Sequence, residues 1–179
     1  YYENVREALR FICEDLGDDA GIYWQCMNEI DIPTFSHDYP DDIVANTARA
    51  CAEGIRRARP DARCGVNIAG YNENAVHMLD LIYREGHSFY YVGVDQYFGS
   101  WQPGDVENWN GVIDALYERY HLPVLANEWG YSSGGEYTTE HPDMTNVPAG
   151  FPDVCVVKKW FHEVEGGHTP EVQADYFDR

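Results

Sequence analysis

The same polar pair occurs twice in this chain, as Asn28-Glu29 and as Asn127-Glu128, with the glutamates 99 residues apart. Each pair closes an apolar, β-rich run: GIYWQCMNE over 21–29 and LPVLANE over 122–128. One such glutamate alone reads as a solvated loop acid; the recurrence at two strand ends changes that reading. Two carboxylates in one pocket can divide labour, one held protonated as a general acid and the other ionised as a base or nucleophile. In a parallel α/β barrel all strands end on one face, so strand-terminal glutamates far apart in sequence meet there.

The elements that must position these residues are legible as apolar runs alternating with helix-period segments, the pattern of parallel βα units. Val5, Ala8, Leu9, Ile12 and Leu16 step by three and four and predict a first helix closed by Gly17. After strand 21–29, a helix over 41–59 carries Val44, Ala48, Cys51, Ile55 and Ala58 in its stripe and stops at Pro60. Strand 63–69 (RCGVNIA) leads to a helix over 73–85 with Ala75, Met78, Leu79 and Ile82 on one face. Strand 89–97 (FYYVGVDQY) precedes a helix over 105–120 with Trp109, Val112, Ile113, Leu116 and Tyr120 inward, and strand 122–128 follows. The stretch 129–167 is rich in Gly, Pro, Ser and Thr and predicts either irregular structure or a short helix near 154–163. Thr169-Pro170-Glu171 has the order of an N-cap, a first-turn proline and a first-turn acid, opening a last helix through Phe177. Four strands and five or six helices make an open half-barrel or a small doubly wound sheet.

Composition narrows the function classes. With 12 Lys and Arg against 31 Asp and Glu the formal charge is −19, which repels phosphate backbones and anionic headgroups and argues against nucleic-acid or membrane-surface partners. Hydrophobic residues at 44% with 24% charged residues mark a globular chain rather than a disordered one. No run approaches the ~18 apolar residues of a membrane span. The chain does not open with Met, so its start is silent about a leader. Five cysteines, Cys13, Cys26, Cys51, Cys64 and Cys155, are odd in number and never spaced C-x-x-C, and read as small buried apolar residues.

The two Asn-Glu strand ends resemble those of the retaining (β/α)8-barrel glycoside hydrolases of clan A, the cellulase-, mannanase- and galactanase-like enzymes. In that family an Asn-Glu ending the fourth barrel strand carries the acid/base, and a Glu ending the seventh carries the nucleophile. WQCMNE over 24–29 is similar to the fourth strand and PVLANEWG over 123–130 to the seventh, with strands 63–69 and 89–97 in the places of the fifth and sixth. VGVDQYFGSW over 92–101 is similar to the sixth-strand end, where a Tyr hydrogen-bonds the nucleophile; Tyr97 takes that place.

The resemblance implies an α/β fold, a (β/α)8 TIM barrel represented here by roughly strands four to seven with their helices. It implies an O-glycosyl hydrolase that cleaves β-glycosidic bonds by double displacement without a cofactor. Glu29 would be the acid/base, Glu128 the nucleophile, and Asn28 the partner of the sugar 2-hydroxyl. Trp101 and Trp129, just past strand ends, would stack on sugar rings, and His37 would line the cleft after Glu29. Barrel strands one to three and eight have no counterpart, nor do the family's Arg near the nucleophile and its last-strand Trp. Against a full barrel of about 250 residues, residues 1–179 read as a partial catalytic domain whose partners are a carbohydrate and the rest of its own barrel. Alone, such a segment is expected to be poorly soluble or inactive. The acidic surface suits an enzyme meeting neutral polysaccharide outside the cytoplasm, which favours an extracellular or periplasmic place without fixing it.

Two other readings stay open. A metal-dependent barrel, a sugar isomerase or hydrolase, would use Glu29, Asp95 and Glu128 as ligands, although the strand ends are poor in His and the fifth strand offers Asn67. A non-catalytic carbohydrate-binding relative would keep the aromatic cleft alone. His162-Glu163 lacks the His at the fourth following position that H-E-x-x-H needs, since Gly166 stands there. Ser36-His37-Asp38 is contiguous, whereas triads are assembled from distant segments. No glycine-rich nucleotide-binding motif occurs.

Overall fold

Helix α1 (Tyr2–Leu16) approaches helix α2 (Asp41–Ala58) closely because α2 is built of small residues on its buried side. Ala45, Ala48, Ala52 and Ile55 are buried there, and any Cβ at Gly54 would collide with the Arg6 backbone. The computed structural model describes residues 1–32, 39–84, 86, 89–140 and 158–179. Asp41 and Asp42 sit in the first turn of α2 and Arg56 and Arg57 in its last, the arrangement that complements the helix dipole.

Four strands, β1 (Tyr23–Gln25), β2 (Arg63–Ile68), β3 (Tyr91–Gln96) and β4 (Val124–Trp129), form one parallel sheet in the order β1-β2-β3-β4. Helices α2, α3 (Glu73–Ile82) and α4 (Asn108–Tyr120) make the crossovers between successive strands. Sequential parallel strands joined through helices are the repeating unit of the (β/α)8 barrel, and the fold is an α/β half-barrel of that type. Register sets which residues share a face: Gln25 lies opposite Gly65, Gly65 opposite Tyr91, and Asn67 opposite Gly93. Since side chains alternate, Gln25, Asn67 and Asp95 share the face away from the helices, while Cys64 turns its thiol toward the Ala52 carbonyl of α2.

The chain divides into two compact units, residues 1–95 with 114–127 and residues 96–113 with 128–179. The first holds β1, β2, α1 to α3 and most of β3 and β4. Its core is Val44, Ile55, Val66, Ile68, Leu79, Ile82, Val92 and Val94, all nearly inaccessible to solvent. The four cysteines described, Cys13, Cys26, Cys51 and Cys64, are free thiols, and Cys155 lies outside the described residues.

The second unit is held by aromatic rings rather than by aliphatic layers. Phe98 meets Trp109 edge-on, Tyr131 stacks on His168, and Tyr131 packs against Tyr176 of helix α5 (Pro170–Asp178). Strands β5 (Glu136–Tyr137) and β6 (Lys159–Trp160) pair in parallel beside this cluster of rings. Helix α5 begins as its sequence predicts, with the Thr169 hydroxyl accepting from the Val172 N–H at 3.2 Å and Pro170 in the first turn.

Several expectations are corrected. β1 is three residues long, so Asn28 and Glu29 lie beyond it, in a turn closed by the Ile32 N–H on the Glu29 carbonyl at 3.0 Å. α1 closes at Gly17 as expected, with Val5 and Leu9 of its stripe half-buried and Ala8, Ile12 and Leu16 exposed. Of the possible helix near 154–163, the part described is β6 and a bend. α3 ends three residues early, and α4 starts at Asn108 because Asp105 and Asn108 first close a side-chain turn, Asn108 Oδ1 accepting from the Asp105 N–H at 2.7 Å. Ile113 of α4 faces solvent.

Candidate active site

In the first unit, Glu29 stands on a turn with φ of +41°, a left-handed conformation that costs a non-glycine residue about 1–3 kcal/mol and persists only where its surroundings over-determine it. The surroundings are residue 67. The Glu29 N–H donates to Asn67 Oδ1 at 2.9 Å, and the next amide, Ile30 N–H, donates to the Asn67 backbone carbonyl at 3.2 Å.

Asn67 is fully buried and sits at the centre of a polar network on the inner face of the sheet. Its Nδ2 donates to Asn28 Oδ1 at 3.2 Å and to the buried carboxylate of Asp95, while its Oδ1 also accepts from Gln25 Nε2 at 3.1 Å. Gln25 Nε2 donates to Asn28 Oδ1 at 2.7 Å, and Gln25 Oε1 accepts from Asn127 Nδ2 at 2.6 Å. With its carbonyl occupied by two donors, Asn28 is left its amide nitrogen, which lies 3.5 Å from Glu29 Oε2. Asn127 folds over Gly93, where any side chain would collide with its Oδ1. Tyr91 borders the network: its hydroxyl donates to the Trp24 carbonyl at 3.2 Å, and burial pushes its pKa up to about 12 against the opposing Asn127 contact.

In the second unit, the Tyr97 hydroxyl donates to Glu128 Oε2 at 2.6 Å. Tyr97 is held by the tight loop after β3. Its N–H donates to Gln102 Oε1 at 2.7 Å, its carbonyl accepts from Ser100 and Gln102, and Gly99 supplies the left-handed φ of +82° that the turn requires. A Cβ at Gly130 would lie 3.6 Å from the Tyr97 ring, in ordinary contact with it. Trp101 and Trp129 are each a little under half exposed; Trp101 leans edge-on against Trp160, and Trp129 meets Phe177 with ring centroids 4.9 Å apart.

The remaining sequence candidates separate. His37 lies outside the described residues. His162 Nε2 pairs with the Trp101 carbonyl, and His168 is buried between Tyr131 and Trp160, so neither belongs to a metalloprotease helix. Among the described residues no three of His, Cys, Asp and Glu converge as a metal-ligand set. Asn67, Gln25 and Asn127 were not singled out as site residues, yet they orient Asn28 and Glu29. A signal existed in Gly65-Val66-Asn67 and Gly93-Val94-Asp95, the same glycine, valine and polar order on two strands otherwise apolar.

No family model matches the sequence, and no curated protein matches it. The fold does match solved structures. The catalytic domain of a GH53 enzyme from Ignisphaera aggregans superposes with a TM-score of 0.57 at 16% identity, over 79% of this chain and 42% of that one. A fungal β-1,4-galactanase gives 0.61 at 16% identity, over 82% and 49%. A GH128 endo-β-1,3-glucanase from Amycolatopsis mediterranei, solved with laminaripentaose, gives 0.54 at 17% identity, over 77% and 56%. The chain therefore spans about half the length of these glycoside hydrolases and shares their barrel architecture.

Proposed function

We propose that this chain is the partial catalytic domain of a retaining glycoside hydrolase acting on β-linked oligo- or polysaccharides, with Glu29 as acid/base and Glu128 as nucleophile. The observation that carries the reading is the hydrogen bond from Tyr97 to Glu128, because a phenol donor at this distance fixes the direction in which the carboxylate points. Three further facts support it. Glu29 follows β1 in the turn after that strand and Glu128 stands near the C-terminal end of β4, and strand C-terminal ends are where barrel enzymes carry their chemistry. The Glu29 turn is strained and clamped, as functional positions often are. Two of the solved structures of like fold are a β-1,4-galactanase and an endo-β-1,3-glucanase.

In this mechanism Glu128 attacks the anomeric carbon while Glu29 protonates the departing glycosidic oxygen. The C–O bond to the leaving group breaks as the bond to the Glu128 carboxylate forms. Glu29, now ionised, removes a proton from water, which attacks the anomeric carbon and releases Glu128. Tyr97 holds Glu128 through both steps, and Asn28 offers its amide N–H to the sugar 2-oxygen, a contact that strengthens as positive charge develops on the ring.

The test is made on the full-length protein. A 2-deoxy-2-fluoro β-glycoside with an activated leaving group should label the peptide containing Glu128, read by mass spectrometry. Glu29→Ala should regain activity with azide, giving a glycosyl azide of retained configuration. Labelling of another residue, or a product of inverted configuration, overturns the assignment; loss of activity to a chelator would turn it toward the metal-dependent reading.

A further inference from the structure

The orientation of every amide around Glu29 is fixed from one end. Amide oxygen and nitrogen are ordinarily interchangeable by a flip, but Asn67 has two partners with no such freedom. The Glu29 backbone N–H can only donate, and the Asp95 carboxylate, when ionised, can only accept. Asn67 must therefore present its oxygen to Glu29 and its nitrogen to Asp95. The second proton on that nitrogen then requires the oxygen of Asn28, which leaves the Asn28 amide nitrogen toward Glu29. Gln25 follows, donating to both oxygens and receiving Asn127 on its own.

We infer that Asn67 is the positioning residue of the acid/base: its side chain transmits the fixed polarity of the buried Asp95 carboxylate to Asn28 and holds Glu29 in its left-handed turn. This rests on the proposed role of Glu29 and extends it to a residue that need not touch substrate. Asn67 bonds the amides of residues 29 and 30 through two different oxygens, so the loop after β1 cannot rotate without breaking both. Its burial and its full set of partners leave it no exchange with solvent. Positioning of this kind acts on proton donation, because a misplacement of about 1 Å in a catalytic group costs on the order of 100-fold in rate.

The experiment compares leaving groups in the full-length protein. A glycoside whose aglycone is a weak acid needs protonation by Glu29, whereas a dinitrophenyl glycoside does not. Asn67→Ala should lower kcat/KM for unactivated β-glycan by about 100-fold or more, the scale of general-acid catalysis, and for the dinitrophenyl glycoside by less than about 10-fold in the bond-breaking step. Asn67→Asp, which keeps an oxygen for the Glu29 N–H but loses both donated bonds, should show the same selectivity if it folds. Asp95→Asn, which can still offer an oxygen to Asn67, should restore most of the activity lost in Asp95→Ala. Equal losses on both substrates, or none, overturn the positioning role. Glu29→Ala is the control: if it lacks the leaving-group selectivity, the acid/base reading itself has failed; if it has it while Asn67→Ala does not, only the present inference falls.

Discussion

Tyr97 and Glu128 are joined by a hydrogen bond of 2.6 Å between a phenol oxygen and a carboxylate oxygen, within the range of charge-assisted contacts. The loop over 97–102 presets this geometry, since Gln102 and Ser100 bond the Tyr97 backbone on both sides. The side chain therefore reaches Glu128 from a fixed base.

Removing only that hydroxyl is the cleanest perturbation available. Tyr97→Phe is expected to lower kcat about 10- to 100-fold in the full-length protein, as loss of a hydrogen bond to a charged group of about 1.5–3 kcal/mol implies. The ring itself is retained, so Tm should change little. A fall in Tm with unchanged kcat would make the contact a structural one.

Gly93 makes a prediction about the fold rather than the chemistry. A Cβ there would lie 2.7 Å from Asn127 Oδ1 and 2.8 Å from Asn67 Cβ. Gly93→Ala must push apart two members of the network on neighbouring strands, and overpacking of this kind costs about 1–3 kcal/mol. Denaturant unfolding should show the loss; a variant as stable as the parent would mean that Asn127 can move aside.

What the sequence made legible, and what it did not, follows from which interactions are local. The helix start at Thr169 was readable because its cap and proline lie within four residues. Asn127-Glu128 near the end of β4 and Tyr97 just after β3 were readable by position, whereas Asn28-Glu29 lies three residues past its short strand, in a turn. The Asn67 hub was not, because its partners lie 28 to 42 residues away and meet only through strand register. The first helix and its stop at Gly17 were readable for the same local reason, but what covers its apolar stripe was not: periodicity shows that a face is apolar and says nothing of its partner, and Ile12 and Leu16 are exposed.

His168 sets an acid limit on stability. It is buried, its ring lies between those of Tyr131 and Trp160, and among the described residues neither nitrogen has a hydrogen-bond partner of ordinary geometry. Burial lowers its pKa below 6.5, outweighing the nearby backbone of Ser132 and His162. The unfolded chain therefore takes up this proton first, and the stability held above about pH 6.5 declines as pH falls below it, toward the folded-state value. The carboxylates that arginines hold low, Asp80 beside Arg119 and Glu107 beside Arg179, lose their contributions only at more acidic pH. Denaturation midpoints should drop between pH 7 and 5 in the parent and flatten in His168→Phe; equal slopes would remove His168 as the cause.

The exposed faces of Trp101 and Trp129 make the last prediction, and packing competes with it. Both rings already have aromatic neighbours, Trp160 for one and Phe177 and Tyr176 for the other, so each is partly a structural residue. A ring that also carries a sugar should matter most for long substrates and little for a small aryl glycoside that does not reach it. Trp101→Ala and Trp129→Ala are therefore expected to raise KM for polysaccharide about 3- to 10-fold, the scale of an aromatic contact of about 0.5–1.5 kcal/mol. KM for the aryl glycoside should stay within twofold, about 0.4 kcal/mol. Trp→Phe at either position keeps a face and should recover part of the loss. If Tm falls while both KM values hold, the rings serve the aromatic core of the second unit, and substrate is gripped elsewhere.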